Sequence, residues 1–286
     1  MDEKKLIFID TNIFLDFYRF KKSDITLKYL DTIDKHHSRI ITTSQVEMEF
    51  MKNRAEEIKK TYTSIAPPNW QSLSAPAILV DSEPSKVLEK KKHEIEKQLT
   101  TLRSRVIKLL ENPARYDKVY QILLRLFKDR SNDINLHRDC NKKSRIHRLA
   151  LRRFSLGYPP RKKDDTSIGD LINWEWIIDC AIQQDADVII VSRDSDYGQN
   201  IQNKAFINDW LSFEFKERVK KQHKVLLTNK LSFAFKEAIS KQSVTKQMEE
   251  AEQKILVESQ FNIKERVERV FEDVQQFSIE EQLLKL

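Results

Sequence analysis

Leu6-Ile7-Phe8-Ile9-Asp10-Thr11-Asn12 places four consecutive apolar residues before one acid and a polar entry to the helical pattern of Ile13 and Phe14. A run that is apolar at every position, rather than at every second one, is what a strand covered on both faces requires. The pattern returns at Ile40-Ile41-Thr42 and at Asp187-Val188-Ile189-Ile190-Val191, each followed by polar residues and a helical periodicity. Val225-Leu226-Leu227 reads as a final strand, and Ala77-Ile78-Leu79-Val80 as a weaker one. Buried strands alternating with helices predict an α/β fold with a central parallel sheet.

Composition narrows the alternatives. Three glycines in 286 residues, Gly157, Gly169 and Gly198, leave few positions for tight hairpins or for glycine-rich phosphate loops, so an all-β design and a P-loop are both excluded. With 40% hydrophobic residues the chain can bury a core, which separates it from disordered sequences of similar charge. Cys140 and Cys180 have no metal-ligand spacing and read as reduced thiols. No apolar stretch has the length of a membrane span, so the expected location is the cytoplasm, with no membrane partner.

Charge is regional. From Lys86 to Lys163 there are 23 Lys and Arg against 8 Asp and Glu, a local net of +15, whereas the whole chain carries +7 and the remainder therefore −8. A basic region beside an acidic remainder suits a phosphate backbone; the plainer reading is a solvated lysine-rich helix face. The same region reads as helical: one long helix from Pro84 to Asn112 carrying Leu88, Ile95, Leu99, Leu102, Val106 and Leu109 on a stripe, a second through Tyr116 to Phe127, and a third from Ser144 to Phe154. Residues 84–155 thus form a basic helical insertion within a domain spanning 1–239, and 240–286 form a helical C-terminal extension. In that extension Val267, Val270, Phe271, Val274 and Phe277 make an apolar stripe that either folds back or meets a partner.

The chemistry is expected where strands end. Asp10 closes the first strand and Asp194 follows another in Val191-Ser192-Arg193-Asp194-Ser195-Asp196, and the carboxyl ends of a parallel sheet are where ligands bind. Clustered carboxylates repel unless protons or cations neutralise them, and hard oxygen donors select Mg²⁺ or Mn²⁺. A single such aspartate is more simply a helix cap, so the argument needs several together.

Four elements together resemble PIN-domain nucleases, in particular the large bacterial PIN-like proteins with an inserted helical segment. Ile9-Asp10-Thr11-Asn12 resembles the opening motif, Gln45-Val46-Glu47-Met48-Glu49-Phe50 with Asn53-Arg54 the glutamate-bearing helix, Gly169-Asp170 with Trp174-Glu175-Trp176 a further aspartate element, and Val191-Ser192-Arg193-Asp194 the later strand end. The resemblance covers about residues 5–230. It implies a three-layer α/β/α fold, an acidic Mg²⁺ or Mn²⁺ site built from Asp10, Glu49, Asp170 and Asp194 with Asp196 as a fifth candidate, and hydrolysis of RNA. Glu47 and Glu49 lie about 200° apart on a helix and cannot both face one site. With Ser44 as the cap and Val46 and Phe50 on the buried side, Glu49 is favoured.

Thr11, Asn12 and Ser192 are candidates to orient Asp10, the attacking water or a phosphate, or simply to satisfy a helix start. Arg161, Lys162 and Lys163, just before Asp170, are candidates for phosphate capture, against a merely solubilising role. Trp174, Trp176, Phe213 and Phe215 read as core, and the six histidines show no ligand pattern. Beside RNA cleavage stand a structure-specific DNA nuclease, a toxin or phage-defence effector controlled by a protein inhibitor or activator, and a nucleic-acid-binding protein with latent activity. Self-association through the C-terminal stripe also stays open.

Overall fold

The computed structural model describes residues 4–20, 23–70, 75–160, 167–201 and 204–257. A parallel five-stranded sheet forms its centre: β1 (Lys5–Ile9), β2 (Ile40–Thr43), β3 (Asn135–Leu136), β4 (Asp187–Val191) and, numbered past a hairpin, β7 (Val225–Thr228), in the order β3-β2-β1-β4-β7. Successive side chains of a strand point to opposite faces, yet every residue of Leu6 to Ile9 and of β4 is buried. Both faces are therefore covered, as the uniformly apolar runs require.

The cover is helical: α1 (Thr11–Leu15), α2 (Ser23–Lys35), α3 (Ser44–Ser64), α4 (Glu83–Glu111), α5 (Pro113–Tyr116), α6 (Lys118–Lys128), α7 (Lys143–Ser155), α8 (Gly169–Gln184), α9 (Asp209–Arg218) and α10 (Leu231–Ala238). Helix α8 packs on β2 and β4, α6 on β2, and α10 on β1, β4 and β7. The small hairpin is β5 (Gly198–Ile201) with β6 (Lys204–Ile207). It needs glycine at its first residue, because a Cβ on Gly198 would lie 2.0 Å from the Phe206 carbonyl oxygen.

Three local expectations change. Ala77–Leu79 is an exposed 3₁₀ turn entered from Pro76, not a strand; Ile78 is 92% exposed and has no sheet to join. Thr43, one residue before Ser44, caps α3, its Oγ1 accepting from the Val46 amide at 3.1 Å. The region read as wholly helical also contributes β3, which pairs with β2 at the sheet edge.

Long α4 starts at Ser82, carries Pro84 in its first turn and stops at Asn112 before Pro113. Buried Arg54 of α3 ties it down: Nη2 donates to the Leu109 carbonyl at 2.6 Å and to Asp117 at 2.6 Å, and the guanidinium lies over the Tyr18 and Tyr120 rings. Farther along α4, Ile95 and Leu102 remain exposed. At the other end of the chain, residues 246–257 are helical and bring Glu252 to the start of α10. Its carboxylate accepts from the Leu231 and Ser232 amides, serving a helix whose own N-cap, Lys230, makes no side-chain bond. The apolar stripe from Val267 to Phe277 lies outside the described residues. No helix among the described residues is long and apolar enough to cross a membrane.

Candidate active site

Neighbouring strands bring the first two groups together. β1 and β4 pair in register, Ile9 opposite Val191, so Asp10 and Ser192 emerge side by side at the carboxyl edge. The Asp10 amide still donates to the Val191 carbonyl at 3.0 Å, and that of Ser192 to the Thr228 carbonyl at 3.0 Å. Asp10 then caps α1: Oδ1 accepts from the Thr11 amide at 2.7 Å, while Oδ2 accepts from Asn12 Nδ2 at 2.8 Å and Ser192 Oγ at 2.5 Å. Asp10 thus caps α1 while lying within the field of the other carboxylates. Ser192 Oγ also accepts from the Asp194 amide at 3.1 Å, fixing the turn that carries Asp194 and Asp196.

Glu49 comes from the opposite wall. Its Oε2 accepts from Thr11 Oγ1 at 2.8 Å and its Oε1 from Gln45 Nε2 at 2.6 Å. Thr11 is therefore bonded to Glu49 as well as through its amide to Asp10. Glu47 points elsewhere, 3.9 Å from Arg138 Nε. Asp170 lies in the first turn of α8, and Gly169 before it lies against α3: a Cβ there would stand 2.6 Å from Gln45 Nε2 and 3.0 Å from Glu49 Oε1, so those two side chains would have to shift. Thr43 Oγ1, donating to Asn173 Oδ1 at 2.7 Å, ties the end of β2 to the same helix.

The electrostatics are one-signed. Burial, together with the charges of Asp194 and Glu49, raises the Asp10 carboxyl to about 7 against the lowering effect of its bonds to Ser192 and Thr11. Burial also raises Asp170 to about 8, and the charges that add to this are Asp10, Asp196, Glu49 and Asp194. The neighbouring cation offers no relief, since Arg193 is paired with buried Asp16. Tyr197 lies fully buried beneath the cluster. Burial and the charges of Asp170, Asp10, Glu49 and Asp196 push its phenol well up, and its hydroxyl has no hydrogen-bond partner among the described residues.

The donor set fits a divalent cation: hard oxygens, an excess of negative charge and two carboxyls holding protons near neutral pH. Among the described residues, no three acidic, thiol or imidazole groups already stand close enough to cage an ion. Asp10 and Glu49 are instead occupied by Ser192, Asn12, Thr11 and Gln45, and mutual repulsion opposes closer approach. Gly169, Gln45 and Tyr197 join the site beyond the residues expected from the sequence; a glycine opening a helix, as Gly169 does, is a signal of close approach. The three cations Arg161, Lys162 and Lys163 lie outside the described residues. Trp174 and Trp176 are fully buried, as expected, whereas Phe213 is exposed and Phe215 buried.

A sequence model of the PIN domain matches residues 7–197, two thirds of the chain, from β1 through Tyr197. Comparisons with curated proteins and with solved structures gave no match.

Proposed function

The chain belongs to the PIN-domain nuclease family, and from that premise we propose that it is a metal-dependent endoribonuclease acting through Asp10, Glu49, Asp170 and Asp194, with Asp196 beside them. The observation that carries this reading is the unneutralised carboxylate cluster at the carboxyl edge of the sheet, with Asp10 raised to about 7 and Asp170 to about 8. Buried carboxyls perturbed by burial and by one another in a cleft are a mark of functional sites.

Asp10, Glu49 and Asp170 are the groups to hold Mg²⁺ or Mn²⁺, with Asp194 and Asp196 completing the set. A bound ion would offset charge building on the phosphodiester and make water a better nucleophile. The chain's own part is to hold the acids ready. Ser192 and Asn12 fix one oxygen of Asp10, and Thr11 and Gln45 fix Glu49. The protons on Asp10 and Asp170 leave when a cation takes their place. Arg161, Lys162 and Lys163, with the basic segment from Lys86, are the cations to attract the phosphate backbone. RNA is preferred as substrate on the family resemblance of the four elements. A toxin or phage-defence role in the cytoplasm, governed by a protein partner, would use the same chemistry.

The test is cleavage of labelled single-stranded RNA, tRNA and matched DNA with Mg²⁺ or Mn²⁺, comparing wild type, Asp10→Asn and a chelator control. RNA cut to 5′-phosphate ends, and left intact by the variant and under chelation, is the expected result. Preference for DNA would make it a structure-specific DNA nuclease, and binding without cutting under every condition would contradict an active enzyme.

A further inference from the structure

Three exposed rings meet on the surface beside the acidic cluster. Tyr158 is 38% exposed, Trp210 44% and Phe213 53%. The Tyr158 and Trp210 centroids are 5.2 Å apart at 55°, and those of Trp210 and Phe213 are 6.0 Å apart at 44°. Helix α9 buries Phe215 completely and neighbouring α8 buries Trp174, so aromatic residues here have core places and these three are outside them.

Two separate paths connect this surface to the acids. The carbonyl of Tyr197, whose ring lies under the cluster, accepts from the Asn208 amide at 2.8 Å. Asn208 caps α9, its side chain accepting from the Trp210 amide at 2.9 Å. By the second path, Trp174 stands one turn from Asp170 on α8 and donates through Nε1 to Glu214 at 3.0 Å, and Glu214 stands one turn from Trp210 on α9. The platform is also held from behind. The Arg153 guanidinium lies over the Tyr158 ring at 5.9 Å and donates to the Pro159 carbonyl, while its other partners are Glu175 and Glu214.

We propose that Tyr158, Trp210 and Phe213 form a stacking platform for unpaired bases of a single-stranded nucleic acid whose backbone runs into the acidic cleft. This rests on the nuclease reading above. A single strand offers both base faces and backbone charge, whereas a duplex hides its base faces. Tyr158 leads in sequence through Pro159 and Pro160 directly to Arg161-Lys162-Lys163, so rings and cations adjoin along the chain. That juxtaposition is the recurrent chemistry of single-strand grooves and favours a polynucleotide over an apolar protein partner.

The test measures binding of labelled single-stranded RNA, matched single-stranded DNA and RNA duplex to the full chain carrying Asp10→Asn, alone and with Trp210→Ala or Trp210→Phe. Loss of one stacked base predicts about 5- to 150-fold weaker single-strand binding for Trp210→Ala, mostly recovered by Trp210→Phe, with duplex binding unchanged. Weakening on RNA, on DNA or on both supports the platform. Single-strand affinity within about twofold of the parent, equal loss on the duplex, or a change in assembly mass in place of affinity would overturn it. Trp210-independent binding, with cleavage intact in Trp210→Ala that keeps Asp10, removes the platform alone, whereas a wild-type chain that neither binds nor cuts any nucleic acid removes both readings.

Discussion

Helix α8 takes part in two clusters of charge, and they are built on opposite principles. At its first turn Asp170 stands in the field of Asp10, Glu49, Asp194 and Asp196, and burial with those charges raises it to about 8. Farther along the helix, Glu175 meets Arg153 Nε at 2.9 Å and Arg218 Nη2 at 2.7 Å, and the same two arginines reach Glu214. Burial pushes Glu214 up as well, but the bonds and charges of Arg153 and Arg218 outweigh it and hold that carboxyl below its usual range. The second cluster carries its own cations and is complete as a structural tie between α7, α8 and α9. Among the described residues the first has the acids and no cation paired with Asp10 or Asp170, which is why a divalent ion is proposed for it.

The contrast can be broken from either side. The largest effect expected is on stability at the self-neutralised cluster: Arg153→Ala leaves buried Glu175 and part-buried Glu214 with Arg218 alone and should cost about 3 kcal/mol or more, read by denaturant unfolding. A loss under about 1 kcal/mol would mean that the tie is solvated and that the two clusters are not so different. At the acidic cluster the effect should fall on activity instead. Ser192→Ala removes a bond that favours ionised Asp10, and losing such a supporting partner costs roughly 10- to 100-fold in activity or metal affinity. The acid limb of its pH–rate profile should move to higher pH, because Asp10 then holds its proton more strongly; an unmoved limb would remove Ser192 from the site. Asp10→Asn should cost more activity than this and leave the fold intact. The smallest effect belongs to Tyr197→Phe, which removes a buried hydroxyl lacking a partner among the described residues and should stabilise the protein by about 1 kcal/mol. A destabilisation of that size would show that the hydroxyl has an acceptor.

Asp10 and Asp194 were legible in the sequence because a uniformly apolar run interrupted by an acid marks the end of a buried strand. Glu49 was separable from Glu47 because helical geometry forbids both from facing one site, although the capping residue proved to be Thr43. β3 was not legible, since two residues carry no periodicity. Tyr197 next to Asp196 reads as an ordinary core aromatic, and only the pairing of β1 with β4 and the approach of α8 bring the acids over it. The ring surface depends on Tyr158 and Trp210, which are far apart in sequence and meet only once α7, α8 and α9 are tied together.

An acidic cluster that is costly by itself and relieved by a divalent ion should reveal both properties when wild type, Asp10→Asn and Asp170→Asn are melted between about pH 5.5 and 8.5, with and without Mn²⁺. Asp10 and Asp170 hold protons in the folded chain that the unfolded chain has already lost. Their contribution is fully present below about pH 4 and is gone once pH passes about 8. Without the ion, wild-type stability should therefore fall as pH rises through 7 to 8, and less steeply in either variant. Mn²⁺ should restore the melting temperature most at the alkaline end and lose much of that effect in the variants. A wild-type profile parallel to those of the variants, with no response to Mn²⁺ at any pH, would contradict the account.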